Sequence, residues 1–298
     1  TYVRRNTLTN FYTTPTETTV TFYPDANPET TSVDGHTSYN AGVGGVGWAT
    51  FRAAAADYAE DSDPSHNASP RIQAGTTSNS WSVLGRTILL FDTSSIPDEA
   101  TIVAGTLELV AITRVESLAG QSVSVATSTP ASTTALVTAD HAQVGTVKQA
   151  ADRTLASLTV DSATYNAWTL NSTGLGNISK TSITKFGLRI TADADNVPPT
   201  WASGGVDAHL QTASAEETLT GDKRPKLVVK YHTPPTFNTD TSSTKFERFT
   251  TTGASTWTKP TGAQLVIVEC FGAGGGGGGG TGSATSPSRI GGGGGGGG

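Results

Sequence analysis

Short apolar runs alternate with clusters of turn-forming residues along most of the chain. Thr19–Tyr23 (TVTFY), Trp48–Arg52 (WATFR), Ser122–Ala126 (SVSVA) and Leu158–Val160 read with the two-residue period of half-buried strands. Thr87–Phe91 (TILLF) and Thr106–Ile112 (TLELVAI) are more continuously apolar, as in strands covered on both faces. Lys185–Thr191 (KFGLRIT) and Lys226–Tyr231 (KLVVKY) complete a set of about eight or nine strands, separated by Gly, Asn, Asp, Ser and Pro. Two stretches, Ala135–Val147 and Ser162–Trp168, read as short helices. Many short strands with few helices between them predict an all-β sandwich rather than an alternating α/β fold.

The pattern divides the chain. Residues 1–18 are polar and Thr-rich, as in an arm or linker, and residues 19–233 carry nearly all the strand signals. Pro234 and Pro235 break the pattern, because proline cannot continue a central strand. After a linker at 234–244, residues 245–298 form a last segment with two further strand signals, Lys245–Thr250 and Gln264–Phe271 (QLVIVECF). The second is apolar on both faces apart from Glu269 and should be covered. The chain then passes into glycine, with 17 of its 35 glycines between Gly272 and Gly298. These runs lack the three-residue period of collagen. They also lack the helix and the Lys-Ser/Thr that a phosphate-cradling loop needs after its strand.

Composition removes several function classes. Charged residues are 15%, against ~25% in an average domain, and the net charge is −6. That balance argues against a nucleic-acid groove. A single cysteine, Cys270, excludes an intrachain disulfide and a cysteine-based zinc site. No apolar run reaches the ~20 residues of a membrane span. Methionine is absent and residue 1 is Thr, so the 298 residues are read as a window onto a longer chain.

Candidate chemistry is sparse. His36, His66, His141, His209 and His232 are scattered, and no HExxH or GxSxG motif is present, so the chain is read as non-enzymatic and its histidines as structural or exposed. Asp61 with Asp63, and Asp193 with Asp195, make two acidic D-x-D loops, the weak candidates for a structural calcium. Trp48 reads as core. Trp81, read in a Ser/Asn-rich loop, and Trp201, after Pro198-Pro199-Thr200, are the glycan-contact candidates, because an exposed indole stacks on a sugar face. Arg114 to Glu116 and Lys223-Arg224 read as solvated strand ends.

Two stretches resemble known families. Gly85-Arg86-Thr87-Ile88-Leu89-Leu90-Phe91-Asp92-Thr93-Ser94-Ser95-Ile96-Pro97, continuing to Gly105-Thr106-Leu107-Glu108-Leu109, is similar to the core of DNRLRE-type domains. Phe186-Gly187-Leu188-Arg189-Ile190 and Arg224-Pro225-Lys226-Leu227-Val228-Val229-Lys230-Tyr231 match two later strands of that family, in order. The likeness spans about residues 19–232 and departs at the start, where Val33-Asp34-Gly35-His36 replaces the usual opening. Those domains are jelly-roll sandwiches of bacterial surface proteins, related to carbohydrate-binding modules. In the same motif, Asp92 and its neighbouring hydroxyls should terminate the strand, and Ile96 and Ile102 should return to the core. The second stretch runs from Phe249-Thr250 through Gly253-Ala254-Ser255-Thr256-Trp257-Thr258-Lys259-Pro260 to Gly272-Ala273-Gly274. It resembles the glycine-rich domain at the ends of bacteriophage tail-fibre proteins.

Together the resemblances imply a jelly-roll sandwich followed by a glycine-rich domain, in a virion tail-fibre or tail-appendage subunit. They imply contacts with other virion subunits, a homotrimer or symmetric ring, host surface glycans as ligands, and an extracellular location on the virion. A carbohydrate-binding module or adhesin on a bacterial surface, and a capsid decoration protein, are the alternatives.

Overall fold

A computed structural model describes residues 16–62, 69–219, 221–234, 249, 253–259, 266 and 268. Thr14–Pro235 form one compact unit. It is an antiparallel all-β sandwich of 13 strands: β1 Thr16–Phe22, β2 Asp34–Asn40, β3 Tyr58–Glu60, β4 Arg71–Ala74, β5 Trp81–Asp92, β6 Thr101–Glu116, β7 Ser122–Ser128, β8 Val144–Lys148, β9 Arg153–Thr154, β10 Tyr165–Thr169, β11 Ile183–Ile190, β12 Asp207–Thr212 and β13 Lys226–Thr233. Among the described residues three short α-helices interrupt them: α1 Trp48–Ala53, α2 Ser172–Gly176 and α3 Thr191–Asp195. The first strand takes in Thr16, Glu17 and Thr18, which the sequence assigns to the arm.

One layer runs β1–β13–β6–β10. The 16-residue β6 belongs to both layers: Thr101–Val110 pair within the first, and Ala111–Glu116 pair with β12 in the second. The second layer is organised on β5. One edge of β5 holds β2, with β3 beyond it. The other edge holds β4 and β11 end to end, with β12 beyond β4, and β7 with β8 and β9 beyond β11. The apolar runs of both layers meet in one core, including Leu107, Leu109, Leu227, Val229 and Trp168 against Leu89, Phe91, Phe186 and Leu188. A smaller cluster of Val33, Ile88, Leu90, Leu136 and Val144 covers the other face of β5. This is why Ile88-Leu89-Leu90-Phe91 is continuously apolar. The strand ends as its sequence dictates: Asp92 Oδ1 accepts from the backbone N–H of Ser94 at 3.0 Å and from its hydroxyl at 2.6 Å. Ile96 is buried and Ile102 packs against the core.

Four local assignments differ from the sequence reading. Trp48–Arg52 lie in α1 and not in a strand. A separation of three puts Trp48 and Phe51 on opposite faces of a strand but on one face of a helix, and both rings pack inward together at 5.8 Å. Ala135–Val147 split into a 3-10 turn, Thr138–Gln143, and the start of β8. Ser162–Trp168 yield β10, in which Asn166 and Trp168 are buried in alternation and the strand pairs with β6. Leu158–Val160 make no strand; Val160 forms a single bridge to Ala111 after a 3-10 turn at Leu155–Ser157.

The expected strands at 245–250 and 264–271 and the glycine runs lie outside the described residues, apart from Phe249, Val266 and Val268. Val266 and Val268 are exposed, the latter 77%, against the expectation that this run is covered.

Two buried ionic features stand out. The carboxylate of Asp193 accepts from three guanidiniums: Arg86 at 2.8 and 3.0 Å, Arg189 at 2.9 Å and Arg52 at 3.1 Å. Those cations hold Asp193 below the usual carboxylate range against the opposing effect of burial. Asp34, buried at the start of β2, accepts from the backbone N–H of Ala215 at 3.2 and 3.3 Å. Burial, with nearby Glu216 and Glu29, pushes its pKa well above the ordinary value. A carboxyl with a raised folded-state pKa binds its proton more tightly in the native state. Stability is therefore lost as pH rises from the unfolded pKa through the folded one. Asp34→Asn is therefore expected to match the wild type in melting temperature near pH 4 and to exceed it increasingly toward pH 8. A difference that is flat with pH, or that shrinks as pH rises, contradicts this account of Asp34.

Candidate functional site

The register of the second layer lines up one transverse row of side chains across five strands: Tyr58 opposite Ser38, Ser38 opposite Gly85, Gly85 opposite Arg71, and Arg71 opposite His209. Alternation assigns each strand's faces. On β4, Arg71 and Gln73 lie on the row's side while Ile72 and Ala74 are in the core. On β12, His209 and Gln211 alternate with the buried Ala208 and Leu210. On β2, His36 and Ser38 share the row's face.

The row lines a polar groove of about 280 Å³, near the lower end of the ~300–1,000 Å³ typical of small-ligand sites. Gly85 forms its floor. A Cβ there would lie 2.4 Å from the carbonyl oxygen of Ser69, so the backbones approach too closely for any side chain. At one end stands Tyr58, 47% exposed, its ring tilted against His36 at 5.6 Å and its hydroxyl donating to Glu60 at 2.8 Å. Arg71 is fixed by an ion pair with Asp207 at 2.6 Å. Burial, reinforced by Arg71 and then His36, pushes His209 down to about 4. The imidazole is therefore neutral at pH 7, with one ring nitrogen as donor and the other as acceptor. The groove thus offers one aromatic face, one cation and several neutral donors and acceptors. In chemical terms that set suits a hydrogen-bonding, hydroxyl-rich ligand more than an apolar one.

The residues singled out from the sequence fall elsewhere. Trp81 is not a loop residue: it opens β5, is 2% exposed and packs edge-on against Trp48 at 5.4 Å, so its ring cannot meet a sugar. Trp201 is half-buried against the core and donates from its indole N–H to the carbonyl of Gly75 at 3.1 Å, pinning a loop. Asp193 is filled by its three arginines, and Asp195 pairs with Lys148 at 2.8 Å. That pair lies in α3 and makes no cation loop. Asp61 accepts from the backbone N–H of Leu136 at 2.7 Å, and Asp63 lies outside the described residues. Among the described residues, no cluster of His, Cys, Asp and Glu is arranged to hold a metal.

Of the histidines, His36 and His209 line the groove, His141 is fully buried and His232 contacts Glu17; His66 lies outside the described residues. The charged strand ends are engaged. Arg114 pairs with Glu116 at 2.8 Å, and Arg224 lies 4.3 Å over the ring of Tyr23. Sequence reasoning missed Tyr58, Arg71 and Gln211. A signal existed on β12, where DAHLQT alternates, and in the short RIQA of β4; DGHTSYN reads as turn because it has no aliphatic residue.

Among the described residues, no helix is long and apolar enough to cross a membrane. No family model matches the chain, and no curated protein matches it.

Proposed function

We propose that this chain is a non-enzymatic structural subunit of a bacteriophage virion, a tail-fibre or other tail-appendage protein. In this reading its sandwich meets host surface glycans through the β3–β2–β5–β4–β12 groove. The observation that carries the reading is the transverse row Tyr58–Ser38–Gly85–Arg71–His209, with its exposed aromatic ring beside a polar floor. Three to four strand spacings of ~4.8 Å separate Tyr58 from Arg71 and His209, so an oligosaccharide stacked on Tyr58 and running along the row would offer the hydroxyls of its further rings to Arg71, His209 and Gln211. The low-charge composition and the two sequence resemblances support a virion setting. The same groove equally suits a carbohydrate-binding module or adhesin of a bacterial surface protein, which is the second reading.

A glycan array probed with the full chain tests the groove. Saturable binding to a subset of glycans is expected, weakened about tenfold or more by Tyr58→Ala, a loss of ~1.4 kcal/mol or more, and retained by Trp201→Ala. Absence of saturable binding, or binding indifferent to Tyr58→Ala, contradicts the reading.

A further inference from the structure

A second cavity, of about 300 Å³, lies on another part of the sandwich and is lined by Arg52, Arg86 and Arg189 together with small residues such as Ala49, Ala53 and Thr146. The three arginines are those that converge on Asp193, which among the described residues is the one carboxylate paired with any of them. Three guanidiniums against one carboxylate leave two positive charges in excess. The side chains of Arg86 and Arg189 are 4% and 5% exposed, so water screens little of that excess.

The remaining donors are spent mainly on backbone carbonyls: Arg86 on His141 and Arg52, Arg189 on Val144, and Arg52 on Asp193. None of these brings a compensating charge. The Nε of Arg189 is buried with no hydrogen-bond partner, a costly state for a cationic donor. His141, beside the cluster, cannot supply a negative charge. Burial, with Arg86 next in effect, lowers it to about 3, which keeps the ring neutral.

We propose that this cavity is an anion site, and that its ligand is a tetrahedral oxyanion carrying close to two negative charges, a phosphate group. Its charge balances the excess of two, and guanidinium forks match phosphate oxygens in geometry. The chemistry is the same for free inorganic phosphate and for a phosphate carried on a sugar. The site is separate from the Tyr58 groove and does not depend on the reading given to that groove.

Isothermal titration of the full chain at fixed ionic strength tests this, with inorganic phosphate, a hexose 6-phosphate, acetate and chloride as probes. One saturable site for at least one phosphate probe is expected, with acetate and chloride much weaker. If inorganic phosphate binds, the free ion is a sufficient ligand; if only the hexose phosphate binds, the group is recognised on a carrier. Arg52→Gln, which alters the most exposed of the three arginines, is expected to weaken phosphate about tenfold or more. Ala53→Phe, which fills the cavity and leaves every arginine in place, is expected to do the same, and it keeps the test decisive if Arg52→Gln fails to fold. Failure of both phosphate probes to bind, equal response to chloride, or unchanged affinity in a folded variant overturns the proposal.

Discussion

Replacing Asp193 with alanine is expected to cost about 3–5 kcal/mol of folding stability, the cost of removing one partner from a buried ion pair. The side chain of Asp193 is fully buried, and it is the shared acceptor of Arg52, Arg86 and Arg189. Alanine would leave three cations together with no counter-charge in a region that water reaches poorly. The loss is a large fraction of the ~5–15 kcal/mol that holds a domain together. The variant is therefore expected to show a much lower urea midpoint by tryptophan fluorescence, or not to fold. Asp195→Ala is the internal control, because Asp195 pairs with Lys148 at a half-exposed site and such pairs contribute under ~1 kcal/mol. Acid should reproduce part of the Asp193 effect. Its folded pKa is lowered, so its contribution is present above the unfolded value and is lost as pH falls through the folded one. Equal midpoints for the two alanine variants would contradict this account of the cluster.

The second large effect concerns Trp81. Its indole is fully inside, edge-on to Trp48, and its backbone pairs with Val46. Truncation to alanine removes that contact area and leaves a cavity that a β-sheet relaxes around poorly, at a cost of about 3–5 kcal/mol. Trp201→Ala is expected to cost less, since that ring is only half-buried and holds a loop by one hydrogen bond. Equilibrium unfolding of the two variants should rank them in that order. Trp81→Ala with near-native stability would mean that the ring is not part of the core.

How legible these features were in the sequence depends on the range of the interactions that make them. β5, β6, β7, β11 and β13 show in their own apolar runs because each buries side chains on at least one face. β2 has no such run. Its Asp34-Gly35-His36-Thr37-Ser38-Tyr39-Asn40 is a strand because it completes the β5 ladder, which local propensity does not encode. The Trp48–Phe51 spacing did carry helical information, overridden by an apparent alternation. The Asp193 cluster was illegible, because its arginines are up to 141 positions away in sequence. The acidic D-x-D spacing describes two carboxylates but says nothing of the cations that fold onto one of them. The groove sits between these extremes: His209 and Gln211 alternate visibly along β12, but only cross-strand register joins them to Tyr58.

The virion reading is tested most directly by location. If the chain is a virion subunit, gold-conjugated antibodies against the folded sandwich, applied to purified phage particles that contain it, are expected to label the tail in electron micrographs and to slow adsorption to host cells. Labelling confined to the head, or particles that bind no antibody, would contradict the proposed role.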